Sequence, residues 1–143
     1  MMKKFRFLEH TADMYIEAWG GTLEEAFENT AVGLGFTIVI SDNVEPKIEK
    51  EIKTESENKE ALLFDFLSKF LIFQDAENLI FHKVHVEKIE EKNGRWYLKA
   101  KAWGEKFNPK KHEEGTHIKA ITYHYMEIKK EKNKYKVKVL VDI

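Results

Sequence analysis

Only two stretches of this chain space their apolar residues as a helix does. Nearly everything else alternates, and that order limits the folds available. In the first, Thr22-Leu23-Glu24-Glu25 reads as a capping box, and Leu23, Ala26, Phe27, Ala31 and Leu34 follow on one face. This predicts a helix from 22 to about 35. In the second, Ala61, Leu62, Leu63, Phe64, Phe66, Leu67, Phe70, Leu71 and Phe73 predict a helix over about 58–75. Its apolar arc is broad enough to be mostly covered by sheet. The predicted strands are Phe5–Glu9, Met14–Trp19, Val44–Thr54, Leu79–Ile89, Arg95–Glu105, Ile118–Lys129 and Tyr135–Val141. Pro46 puts the third at an edge, and Asn93-Gly94 joins the fourth to the fifth as a hairpin. The expectation is a single α+β domain over residues 1–143. It is a two-layer sandwich with two helices packed on a mixed, mostly antiparallel sheet.

At 143 residues and 43% hydrophobic, such a domain buries roughly two-thirds of its unfolded surface. No apolar run nears the roughly 20 residues that span a bilayer, and MMKKFRF carries no signal-peptide core. A soluble, cytoplasmic protein is expected. The absence of cysteine removes disulfides, zinc–thiolate sites and cysteine nucleophiles. Basic and acidic side chains number 24 and 25, for a net charge of −1. No global field draws nucleic acid, so any RNA would be reached through a partner. The charge is almost all Lys and Glu, with Gln74 the single glutamine. That composition resembles hyperthermophile proteins.

Six histidines invite a metal or catalytic reading. His82 and His85 lie three apart on a strand, hence on opposite faces, and read as solvated positions. His117 and His124 also diverge, and His112 falls in the polar segment KFNPKKHEEGT, a surface loop. Gly33 and Gly35 imitate part of a dinucleotide fingerprint, but C-capping at a helix end explains them. Trp19, Trp96 and Trp103 read as core residues rather than base-stacking platforms, and Lys110-Lys111 and Lys129-Lys130 as solvated turns. No HExxH, phosphate loop or GxSxG is present.

Two places resist such readings. Between the first two strands stand Glu9, His10, Thr11 and Asp13, where a plain turn would use Gly, Asn or Pro. At the other end, VLVDI is too apolar to dangle. Tying it into the sheet would hold the Asp142 carboxylate and the terminal carboxylate close together. A hard cation with oxygen ligands is the usual remedy for crowded carboxylates, and Asp13 would complete the cluster if the strands adjoin. A simple turn and a capped terminus remain the alternative.

Taken together, FLEHTADMYIEAWGGTLEEAFENTAVGL, ALLFDFLSKFLIFQDAENLIF, WGEKFNPKKHEEGTHIKA, GTHIKAITYHYMEI and the final VLVDI resemble the archease family across essentially the whole chain. HTAD, KAITYH and the closing Asp-Ile are jointly specific. The resemblance implies a small α+β protein that is not itself an enzyme. It would activate the RtcB-type tRNA-splicing RNA ligase, promoting guanylylation and multiple turnover. It also implies a divalent metal, calcium, held by Asp13, Asp142 and an oxygen of Ile143. His10 and Thr11 would support that site, and Lys119 and His124 belong to the surface of action. The resemblance also admits a chaperone-like modulator of an RNA-modifying methyltransferase. A standalone metal-dependent hydrolase is the rival from a different class.

Overall fold

The computed structural model describes residues 3–8 and 12–143. Along the chain run β1 (Phe5–Leu8), β2 (Met14–Gly20), α1 (Leu23–Ile38), β3 (Ile48–Ser56), α2 (Lys59–Glu77), β4 (Leu79–Lys92), β5 (Arg95–Lys106), β6 (Ala120–Glu131) and β7 (Lys134–Asp142). The α+β expectation holds, with two helices on antiparallel strands. The strands divide between two sheets, ordered β1-β2-β7-β6 and β3-β5-β4, and every pairing between them is antiparallel. The helices join the sheets. α1 packs on β2 and β4, and α2 on β6 and β3, one strand from each sheet in either case. Phe27 of α1 stacks on Phe66 of α2 with ring centres 6.3 Å apart. Both side chains are fully buried, in a core that also takes Ile16, Ile52, Val137 and Val139.

α1 begins as expected, with the Thr22 hydroxyl accepting the Glu25 amide at 3.0 Å. Glu25 does not close the box; its carboxylate pairs with Lys4 instead. The helix also outruns its expected end. Gly33 and Gly35 are not C-caps but lie within it, both buried. A Cβ on Gly35 would stand 2.0 Å from the Phe81 carbonyl oxygen, so glycine here lets α1 approach β4. The orphan carbonyls that a helix end leaves are answered by distant residues. Thr37 and Ile38 receive the amides of Thr116 and Gly115, both at 2.8 Å. His82 Nε2 lies 3.1 Å from the Gly35 carbonyl and 3.0 Å from that of Val39.

α2 is capped at both ends by its own sequence. Asn58 accepts the Ala61 amide, and Asn78 turns left-handed at φ 56° to return its N–H to Gln74 and Phe73. Asn93 and Gly94, at φ 53° and 77°, make the tight hairpin between β4 and β5. β3 is an edge strand, with Pro46 just before it. At the other edge of that sheet, α1 covers β4 with carboxylates. Glu28 accepts the Val86 amide at 3.0 Å and Glu24 the Ile89 amide at 3.3 Å.

Several polar residues sit differently from their expected places. His82 is not solvated; it stacks on Phe36 with ring centres 3.7 Å apart, and burial pushes its pKa down. A β-bulge between Phe81 and Lys83 breaks the simple alternation that predicted its exposure. His85 is exposed and meets Glu28 at 3.1 Å. His112 is buried although its loop is polar, because the loop folds back on itself. The Asn108 amide donates to its Nδ1 at 2.9 Å, and its Nε2 donates to Glu105 at 3.0 Å. Lys111 is no solvated turn residue either, since it pairs with Glu105 at 2.8 Å and with Glu45. The tryptophans each keep part of their surface exposed, and Trp96 packs against the core as expected. The indole of Trp103 donates to Glu49 at 3.0 Å, and Lys83 and Lys59 lie over Trp103 and Trp96. Among the described residues, no helix is long and apolar enough to cross a membrane.

Candidate functional site

β7 is the strand that assembles the site, because it is central in its sheet. Val139 and Val141 are fully buried, which fixes the last strand between β2 and β6. Its register with β2 ends at Met14↔Val141, so the next residue on each strand is Asp13 on one and Asp142 on the other. On the opposite flank Ala120 pairs with Asp142. The Lys119 amide donates to the Asp142 carbonyl at 2.7 Å. Asp13, Asp142, Ile143 and Lys119 therefore meet at one end of the four-stranded sheet. Asp13 is half-buried there, while Asp142, Ile143 and Lys119 are exposed.

Glu9, His10 and Thr11, expected beside Asp13, lie outside the described residues. Among the described residues, no group of three His, Asp or Glu side chains is placed to hold a metal. The donors gathered at the tip are two carboxylates and the oxygens of Ile143. All are hard oxygen ligands of the kind that suits calcium or magnesium.

His124 does not reach this tip as a ligand. It lies in a three-residue bulge of β6, whose pairing jumps from Thr122↔Leu140 to Glu127↔Lys138. Tyr123 and Tyr125 flank it at 53% and 70% exposure. Tyr123 lies flat against Phe64 of α2, ring centres 4.5 Å apart and planes 5° from parallel. Tyr125 sits at φ 57°, and its carbonyl accepts the Tyr15 hydroxyl at 2.6 Å. Reading β6 as one unbroken alternation missed this knuckle. A signal was present: core-facing Ile121 and Ile128 differ in parity, which requires an odd number of extra residues between them.

The Archease protein family model matches residues 5–143. The chain belongs to the archease family. The archease of Sulfurisphaera tokodaii is 45% identical over 142 residues, spanning 99% of this chain and 100% of that protein. That of Thermococcus kodakarensis is 48% identical over 129 residues, 90% of each. The solution structure of protein 1598 from Methanobacterium thermoautotrophicum has a TM-score of 0.83 at 34% identity, covering 99% of this chain and 100% of that one. A crystal structure of a Thermotoga maritima archease, described as a possible chaperone, has a TM-score of 0.58. It covers 95% of this chain and 94% of its own at 24% identity, a likeness of fold alone. Within the archease frame, Asp13 of HTAD, Lys119 of KAITYH and the closing Asp142-Ile143 stand at one sheet end, and His124 lies farther along β6.

Proposed function

We propose that this chain is a non-enzymatic activator of an RtcB-type tRNA-splicing RNA ligase, presenting the Asp13–Asp142 tip to the ligase's nucleotide-binding cleft. The observation that carries the reading is the β2–β7–β6 register, which brings Asp13 beside Asp142 and ties Lys119 to the same end. Asp13, Asp142 and an oxygen of Ile143 would hold a divalent metal, calcium or magnesium. When bound, it supplies charge neutralisation for phosphate groups. The buried run Val139–Val141 holds the tip on a rigid strand, and the Lys119 amide fixes the direction of the Asp142 backbone. A net charge of −1 suits recognition of a protein better than direct capture of RNA.

Guanylylation of the cognate ligase, with and without this chain, tests the reading. Wild type is expected to speed GMP transfer and permit multiple turnover, and Asp13→Ala or Asp142→Ala to abolish both while the fold survives. Stimulation that persists in both variants defeats it. A chaperone-like modulator of an RNA-modifying methyltransferase would leave the ligase unaffected and change the yield of active methyltransferase. That alternative follows from the archease resemblance alone. A standalone hydrolase would turn over nucleotide or RNA with no ligase present.

A further inference from the structure

The knuckle of β6 has features that a simple sheet edge lacks. Three extra residues leave the ladder, and one of them, Tyr125, takes a left-handed backbone that is unfavourable for a residue with a side chain. Two tyrosines end up projecting into solvent. The bulge is nevertheless held from two sides. Phe64 of α2 backs the Tyr123 ring, and Tyr15 of β2 holds the Tyr125 carbonyl. An aromatic surface fixed in this way loses little side-chain freedom on binding, which is what makes tyrosine effective at interfaces.

The charges that act on Tyr123 share one sign. After burial, the groups that raise the Tyr123 phenol are the carboxylates of Asp65 and Glu57. Beneath Tyr125, the Tyr15 phenol is raised by burial and then by Glu127 and Glu17. Those two carboxylates are already paired with Lys129, Lys138 and Arg6, so the negative face lies at Tyr123. Asp65 is itself oriented by the Ser56 hydroxyl at 2.6 Å. Phe64 covers one face of the Tyr123 ring, and the exposed remainder stands among carboxylates. A guanidinium matches both elements, since it stacks on an aromatic face and pairs in a planar fork with a carboxylate. Phosphates of a nucleic acid would meet the same carboxylates as like charges.

We propose that the Tyr123–Tyr125 knuckle is a docking site for arginine side chains on the surface of a partner protein. The site gives position and affinity, while the carboxylate tip at the end of the same sheet acts. This rests on the reading of the chain as an activator of a partner protein.

The test uses the intact 15N-labelled protein and three probes: a short glycine–arginine peptide, its glycine–lysine counterpart and oligouridylate. The arginine peptide is expected to shift the amide resonances of residues 122–126. The lysine peptide should bind more weakly, because an ammonium lacks the planar stacking. Tyr123→Ala should weaken arginine-peptide binding about fivefold, the equivalent of roughly 1 kcal/mol of cation–π attraction. Tyr123→Phe should retain binding, and Asp65→Asn should reduce both the affinity and its salt dependence. Equal response to lysine, response to oligouridylate instead, or shifts confined to other surfaces would each overturn the proposal. No ligase enters this titration, so a silent knuckle refutes the docking site alone. A ligase indifferent to wild-type protein refutes the activator reading alone. Where the ligase does respond, Tyr123→Ala should raise the concentration needed for half-maximal stimulation and leave the plateau unchanged. A lowered plateau at unchanged half-saturation contradicts the docking role.

Discussion

Replacing Glu105 by Gln keeps the shape of the side chain and removes its charge, which isolates what that charge contributes. Burial works against the charged form here. The Glu45 amide at 2.8 Å, Lys111 at 2.8 Å and His112 at 3.0 Å outweigh it. Together they hold the Glu105 carboxyl at about 2, against an ordinary 4.5. A carboxyl lowered that far contributes about 3 kcal/mol to folding at neutral pH. Water around Lys111 and Glu45 screens part of this, leaving about 2 kcal/mol. For a domain of this length that corresponds to a melting temperature lower by roughly 4–8 °C. The sign with pH follows from the direction of the shift. A lowered carboxyl stabilises fully above its unfolded value near 4.5 and ceases to do so as pH falls toward 2. Thermal or urea unfolding of wild type and Glu105→Gln at pH 7 and near pH 2 provides the assay. The gap between them should be about 2 kcal/mol at pH 7 and close by pH 2. A gap of the same size at both pH values would refute the charge argument and trace the loss to the new amide NH2 facing the donors of Glu45, Lys111 and His112.

His82 should have its neutral form favoured to a pH below 6.5, because burial lowers its pKa. Its contribution is therefore full above the unfolded value and falls as pH drops through 6.5 toward the folded value. Ring resonances of His82 that titrate at or above 6.5 contradict this. Gly35→Ala should cost about 3 kcal/mol or more, because the new Cβ meets the Phe81 carbonyl, a contact that only backbone movement relieves. Gly94→Ala has open space around it and should cost about 1 kcal/mol, through its positive φ alone. Chemical denaturation of the two variants separates packing from backbone strain.

What the sequence made legible was local. The Asn93-Gly94 hairpin, the Thr22 cap, the edge position of β3 and the seven strands all follow from short-range patterns, and the structure contains them. Its reading of the tail was legible for a different reason: Val139–Val141 is apolar enough that exposure was excluded on energetic grounds. The missed features belong to distant contacts. Gly33 and Gly35 look like a helix end until β4 is known to press on α1. His112 looks solvated until Asn108 and Glu105 are seen to enclose it. The division into two sheets is set by which strands the helices span, which periodicity does not encode. Asp13 and Asp142 fall between these cases, because each was chosen locally but only register along a shared strand brings them together.

The carboxylates that α1 lays along β4 have a bearing on how this molecule meets copies of itself. A bare outer strand offers backbone groups on which another chain can build, and each addition recreates the same invitation. Here the amides of Val86 and Ile89 are already engaged by Glu28 and Glu24 of the same molecule. A neighbour arriving on that side finds those positions taken, so the sheet has a built-in stop against fibre-like growth.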